Sequence, residues 1–114
     1  MIELVNLSDD SETQVSLRDF LDAKLVNVWI QIANPSPEEL RAIAEKTGIP
    51  ADFLKLPESE NFINLRIEPE YGLINFLIVE EIFTTRIFRP IVLAFSKNVL
   101  ITVIKQEDHS KQYN

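Results

Sequence analysis

Val28-Trp29-Ile30-Gln31-Ile32-Ala33-Asn34-Pro35-Ser36-Pro37-Glu38-Glu39-Leu40 is the stretch on which the fold turns. Its first half is rich in Val, Ile and Trp and reads as part of a strand over residues 25–32. Its second half is a helix start. Ser36 stands at the N-cap, Pro37 takes the first helical position, and Glu39 completes a capping box three residues on. Glu38 and Glu39 also lie where the helix dipole favours negative charge. Leu40, Ile43 and Ala44 form an apolar stripe, and Gly48 supplies a left-handed stop. The spacing predicts a helix over 37–47, fed directly by a strand.

Outward from this junction the chain is punctuated clearly. Residues 2–7 read as a first strand, closed by the polar cluster Ser8-Asp9-Asp10-Ser11. Ser16 is placed to cap a brief helix whose face carries Leu17, Phe20 and Leu21. Ile49-Pro50 opens a second helical segment reaching Leu54 or Leu56, which Pro57 closes, and Glu58-Ser59-Glu60 follows as a linker. Beyond it the pattern is strands, over 62–68, 73–83, 87–95 and 99–105. Pro69-Glu70-Tyr71-Gly72, Thr84-Thr85-Arg86 and Ser96-Lys97-Asn98 are read as the turns. The expected fold is α/β: a mixed, largely antiparallel sheet with helices on its faces.

Residues 73–79, Leu-Ile-Asn-Phe-Leu-Ile-Val, are apolar on both alternating faces. A strand of that kind is covered on both sides. The chain supplies two to three short helices, too few for two layers. A segment beyond Asn114, or another chain, is therefore expected to complete the second layer. Trp29, between Val28 and Ile30, is expected in the core.

Composition narrows the function classes. The 114 residues fit one domain, with 46% hydrophobic and 25% charged residues and no cysteine. Disulfides, thiolate metal sites and thiol catalysis are excluded by inventory. A net charge of -7 repels phosphate backbones, so a nucleic-acid partner is not expected. The start Met1-Ile2-Glu3-Leu4-Val5-Asn6 lacks the features of a signal peptide, and no apolar run approaches the roughly 20 residues a membrane helix needs. His109 is the only histidine and lies in a polar tail, where no nucleophile would be held beside it. Gly48 and Gly72 already have structural tasks, so no glycine-rich phosphate loop exists. No enzyme is expected. Carboxylates remain, Glu58, Glu60, Glu68, Glu70, Glu80 and Glu81, as oxygen ligands for a hard cation or as a solvated acidic rim.

Three motifs in order resemble one family. The stretch from Val28 to Leu40 is similar to the W-I-D-L, N-P-T/S, x-E-E-L junction of the cytoplasmic domain of CorA-type divalent-cation transporters. Gly48-Ile49-Pro50 with Phe53-Leu54 resembles the next landmark, and Ser96-Lys97-Asn98-Val99-Leu100-Ile101-Thr102-Val103 resembles the last strand pair, K-N-x-L-I-T-V. Each motif alone is also ordinary capping or hairpin chemistry; their ordered coincidence over most of the chain carries the resemblance. It implies a single cytoplasmic domain, residues 1–114, cut from a longer membrane protein whose later helices form the second layer and the pore. It further implies a homopentamer on the cytoplasmic side of the cell membrane, passing Mg²⁺, with Co²⁺ as a substitute. The implied role is cation sensing and assembly.

The departures are specific. Gln31 replaces the family's acidic residue, and the acidic pair that binds regulatory cations falls at Lys55 and Leu56. Glu58 and Glu60 are the nearest carboxylates and the expected ligands of a weakly held regulatory Mg²⁺ or Co²⁺. Gly-Met-Asn, the pore signature, is absent. The rival from another class is a free-standing small-ligand or protein-binding module.

Overall fold

The computed structural model describes residues 1–56 and 64–105. One seven-stranded sheet runs through them in the order β2-β1-β3-β7-β6-β5-β4. Its strands are β1 (Ile2–Asn6), β2 (Glu12–Val15), β3 (Val28–Ala33), β4 (Asn64–Ile67), β5 (Tyr71–Ile82), β6 (Thr85–Ser96) and β7 (Val99–Ile104). β3 and β7 are parallel; every other neighbouring pair is antiparallel. The described residues also form three helices, α1 (Leu17–Asp22), α2 (Pro37–Thr47) and α3 (Ala51–Leu54). The mixed, mostly antiparallel α/β architecture is the expected one.

The junction folds as its residues dictate. Ser36 Oγ accepts from the Glu39 backbone N–H at 3.1 Å, and Glu39 Oε1 accepts from the Ser36 N–H at 2.9 Å. Both halves of the capping box are present, Pro37 opens α2, and Gly48 ends it at φ 81°. The α-amino group of Met1 lies 3.0 Å from Glu39 Oε2, tying the start of β1 to the start of α2. Ser16 caps α1 by accepting from Asp19 N–H. The carbonyls at the end of α1 accept from one side chain: Lys46 Nζ of α2 donates to Phe20 O at 3.0 Å, Leu21 O at 2.9 Å, and Ala23 O. This contact locks the two helices together.

All three helices lie on one face of the sheet. Phe20, Leu40, Ala42, Ile43, Ile49 and Leu54 pack with Ile2, Ile30, Ile32, Leu73, Val92, Ala94, Val99, Ile101 and Val103. The strand members share one parity: Ile2 is opposite Ile32, Ile30 beside Ile101, and Leu73 opposite Ala94. Their partners of the other parity therefore face away from the helices.

Several local expectations give way. β2 is an additional strand in a segment expected to be loop. Its sequence Glu-Thr-Gln-Val is polar because it is an exposed edge, held by backbone pairing to β1 from Ile2↔Val15 to Val5↔Glu12. The strand expected from residue 25 begins at Val28, after Asn27 turns through φ 53°. The β5–β6 hairpin turns at Phe83-Thr84, one step before the expected position, with Phe83 at φ 58°. Gly72 belongs to β5 rather than to a turn. A Cβ there would overlap the ring of Phe95 on β6, so its role is a close cross-strand approach. Trp29 is not in the core: it is half-buried, on the face without helices.

Candidate functional site

The helix-free face is the largest functional candidate among the described residues. Reading across the register, Leu65, Ile74, Leu93, Thr102, Gln31, Glu3 and Gln14 form one row spanning all seven strands. Ile104, Ile91 and Phe76 lie in the row on one side, with Ala33 opposite Ile104. Trp29, Leu100, Phe95, Gly72 and Ile67 lie in the row on the other side. Much of this surface is open to solvent, with Phe95 43%, Leu65 63%, Ile67 72% and Ile78 39% exposed. A contiguous apolar face of this kind marks an interaction surface.

Its centre is concave. Met1, Glu3, Trp29, Gln31, Phe76 and Thr102 are among the residues lining a hollow of about 390 Å³. The Trp29 indole Nε1–H donates to Thr102 Oγ1 at 3.0 Å, which fixes the ring along one wall. The large aromatic body supplies apolar area, and the bond to Thr102 spends its one donor. The hollow is an apolar cradle with a polar end at Glu3 and Gln31. Among the described residues lining it there is no arrangement of acid, base and nucleophile.

A second hollow of about 380 Å³ opens at the carboxyl ends of β3 and β7, lined by Asn34, Pro35, Leu40, Lys55, Leu56 and Lys105. Here the resemblance places the family's acidic pair. The side chain present is Lys55, 3.2 Å from Asp52, with Lys105 on the same hollow. Two ammonium groups repel a divalent cation, so the described residues of this hollow do not by themselves make a cation site.

The other carboxylates are spread out. Glu68 pairs with Arg66 at 3.4 Å and Glu80 with Arg89 at 3.0 Å, while Glu70 and Glu81 are exposed. Among the described residues no group of three His, Cys, Asp or Glu is placed to hold a metal ion. Glu58, Glu60 and His109 lie outside the described residues. Glu39 is the described carboxylate most engaged structurally. Burial works against its charge, but the Ser36 N–H and the Met1 ammonium outweigh it and hold its carboxyl below the ordinary value of 4.5. That is a structural task, not a catalytic one.

No family model matches the sequence, and no curated protein does. Solved structures do match. The soluble domain of CorA from Methanocaldococcus jannaschii superposes with a TM-score of 0.66 at 16% identity, over 99% of this chain and 43% of that one. The fold is that of the CorA soluble domain. The complete CorA magnesium transporter from the same organism gives a TM-score of 0.64 at 13% identity, over 99% of this chain and 35% of that one. The chain thus spans less than half of either CorA structure. Among the described residues no helix is long and apolar enough to cross a membrane.

The open face was partly visible in the sequence. The two-sided apolar pattern of residues 73–79 asks for a second layer, and the structure leaves one side of that strand bare. Its polar row was missed. Glu3 and Gln31 stand on different strands, and only the register brings them together.

Proposed function

We propose that this chain is the N-terminal cytoplasmic domain of a CorA-type transporter of divalent cations, Mg²⁺ or Co²⁺. In this reading it senses the ion and helps to assemble the homo-oligomer, a pentamer, on the cytoplasmic side of the cell membrane. The observation that carries the reading is the CorA soluble-domain fold over 99% of the chain. The open sheet face supports it, because a domain that docks on the remainder of a transporter needs an apolar surface beyond its own core. The domain is non-catalytic. The membrane enters only through helices that follow it in the natural reading frame. That frame is expected to continue past Asn114 into two apolar spans, with Gly-Met-Asn between or just before them; a natural stop codon at or near Asn114 would contradict the proposal.

Glu58 and Glu60 are the proposed ligands of the regulatory ion. In an extended segment alternate residues point to one side, so two carboxylates can share a hydrated Mg²⁺ or Co²⁺ that keeps most of its waters. A neighbouring subunit supplying further oxygens would tighten such a site. Titration with Mg²⁺ or Co²⁺, followed by backbone amide shifts, tests this. The Glu58→Ala, Glu60→Ala double variant should abolish the metal-induced shifts; unchanged shifts would remove these two residues as ligands.

One observation favours a second reading, a free-standing binding module: the hollow beside Trp29 is large enough for a small ligand. A natural product ending at Asn114, together with saturable quenching of Trp29 by a small molecule, would support that reading over the first.

A further inference from the structure

The Met1 nitrogen carries a charge that the fold uses. Met1 extends the β1–β3 ladder by one reciprocal pair: its nitrogen donates to Ala33 O at 3.3 Å, and its carbonyl accepts from Ala33 N–H at 3.2 Å. The same nitrogen lies 3.0 Å from Glu39 Oε2, while Glu39 Oε1 accepts from the Ser36 N–H at 2.9 Å. The Glu39 side chain is only 16% exposed. Arg41, the next cation along α2, is engaged by Glu38 at 3.7 Å. One nitrogen thus serves two acceptors, a strand carbonyl and a largely buried carboxylate in the first turn of a helix.

A free ammonium can do both, because it has three N–H donors and a positive charge. An amide nitrogen at the same place has one N–H and no charge. That N–H is the ladder donor, and it stays with Ala33 O as in any antiparallel pair. The acyl carbonyl is itself an acceptor and offers the carboxylate nothing. Glu39 Oε2 then loses its cation in a place with little water, which is the costly way to break an ion pair. The loss falls on the start of α2, since Glu39 is one half of the capping box.

We infer that Ala33 O and Glu39 form a recognition site for a free α-ammonium group, closed by Met1 as an amine and opened when that nitrogen becomes an amide. A formyl group, an acetyl group or a preceding residue opens it alike. Capture of a terminal amine by backbone and side-chain acceptors is a recurring mode of recognition. Met1 is therefore a modification-sensitive position. Its state is read at two places: the cap of α2, and the wall of the central hollow, which Met1 and Ala33 both line. The inference does not depend on the transport reading, because it concerns only the joint between β1, β3 and α2.

Three forms of the 114-residue chain test this, each made as wild type and as Glu39→Gln: Met1 free, Met1 acetylated on its α-nitrogen, and Met1 preceded by Gly-Ser. In the wild type, urea denaturation should show acetylation and extension each lowering the folding equilibrium constant roughly three- to tenfold. That is the scale of a hydrogen bond between charged groups, discounted for partial exposure. Amide exchange should quicken at Glu39 and Leu40 and stay unchanged at Ala33, whose ladder bond an amide keeps. In Glu39→Gln the three forms should be equally stable. Followed by carbon NMR against pH, the wild-type Glu39 carboxyl should titrate closer to its ordinary 4.5 after acetylation, a reading that stands even where Glu39→Gln does not fold. Equal stability of the free and acetylated wild type, an unmoved Glu39 titration, or a loss that persists in Glu39→Gln would overturn the inference. A loss on Gly-Ser extension but not on acetylation would assign the effect to bulk and overturn it too.

Discussion

Replacing Ser36 by alanine removes one half of the device that starts α2, and its cost can be worked from the geometry. Ser36 Oγ accepts one bond, from Glu39 N–H at 3.1 Å, at a part-buried position. Loss of such a cap costs about 0.5–2 kcal/mol, centred near 1. Glu39→Ala should cost more, because Glu39 both accepts from Ser36 N–H at 2.9 Å and pairs with the Met1 ammonium at 3.0 Å. A part-buried N–H left bare adds roughly 1–3 kcal/mol. The two bonds belong to one reciprocal unit, so the double variant should lose less than the sum of the singles. Urea denaturation reads this directly: with a slope of about 1.5 kcal/mol per molar, Ser36→Ala lowers the midpoint by roughly 0.3–1.3 M at unchanged slope. Equal midpoints for wild type and Ser36→Ala, or strict additivity of the two substitutions, would refute the reciprocal cap.

Other outcomes follow from the same structure. The Glu39 carboxyl is held below its ordinary 4.5 in the folded chain, so its contribution is complete above that value and is lost as the pH falls through the folded value. Acid titration of stability should show that loss in the wild type and not in Glu39→Gln. Phe20 is fully buried and Trp29 only half-buried, so Phe20→Ala should cost about 3–5 kcal/mol and Trp29→Ala clearly less, by calorimetry or denaturant midpoints. Lys46→Met keeps the stem but abandons the carbonyls of Phe20, Leu21 and Ala23; amide exchange should then accelerate first in α1.

The parts of this fold that were legible in the sequence are those written in local chemistry. Ser36, Pro37, Glu39 and Gly48 specify the bounds of α2 because capping, a fixed φ and a left-handed stop each act within a few residues. The bare second face was legible in outline, since residues 73–79 are apolar at both parities. Which parity faces the helices was not. Ile30 and Trp29 are both strongly apolar, and the choice between them is made by the path of the chain from β3 into α2, which adjacency in sequence does not encode. β2 escaped notice because an edge strand held by backbone pairing needs no apolar side chains. The hairpin turn was displaced because Phe83 adopts a positive φ that bulky residues rarely take. Of the candidate site, the juxtaposition of Glu3 and Gln31 depends on the register between strands 28 positions apart in sequence and could only be read from the structure.

The proposed function requires one sheet face of this domain to be covered by the rest of a longer protein. Hydroxyl-radical footprinting of the 114-residue chain and of the natural product in its membrane tests it residue by residue. In the isolated chain Trp29, Phe76 and Leu93 should oxidise readily while Phe20 stays protected. In the natural product those three should fall to the protection of Phe20, with Phe20 itself unchanged. Equal oxidation of Trp29, Phe76 and Leu93 in both would contradict the account.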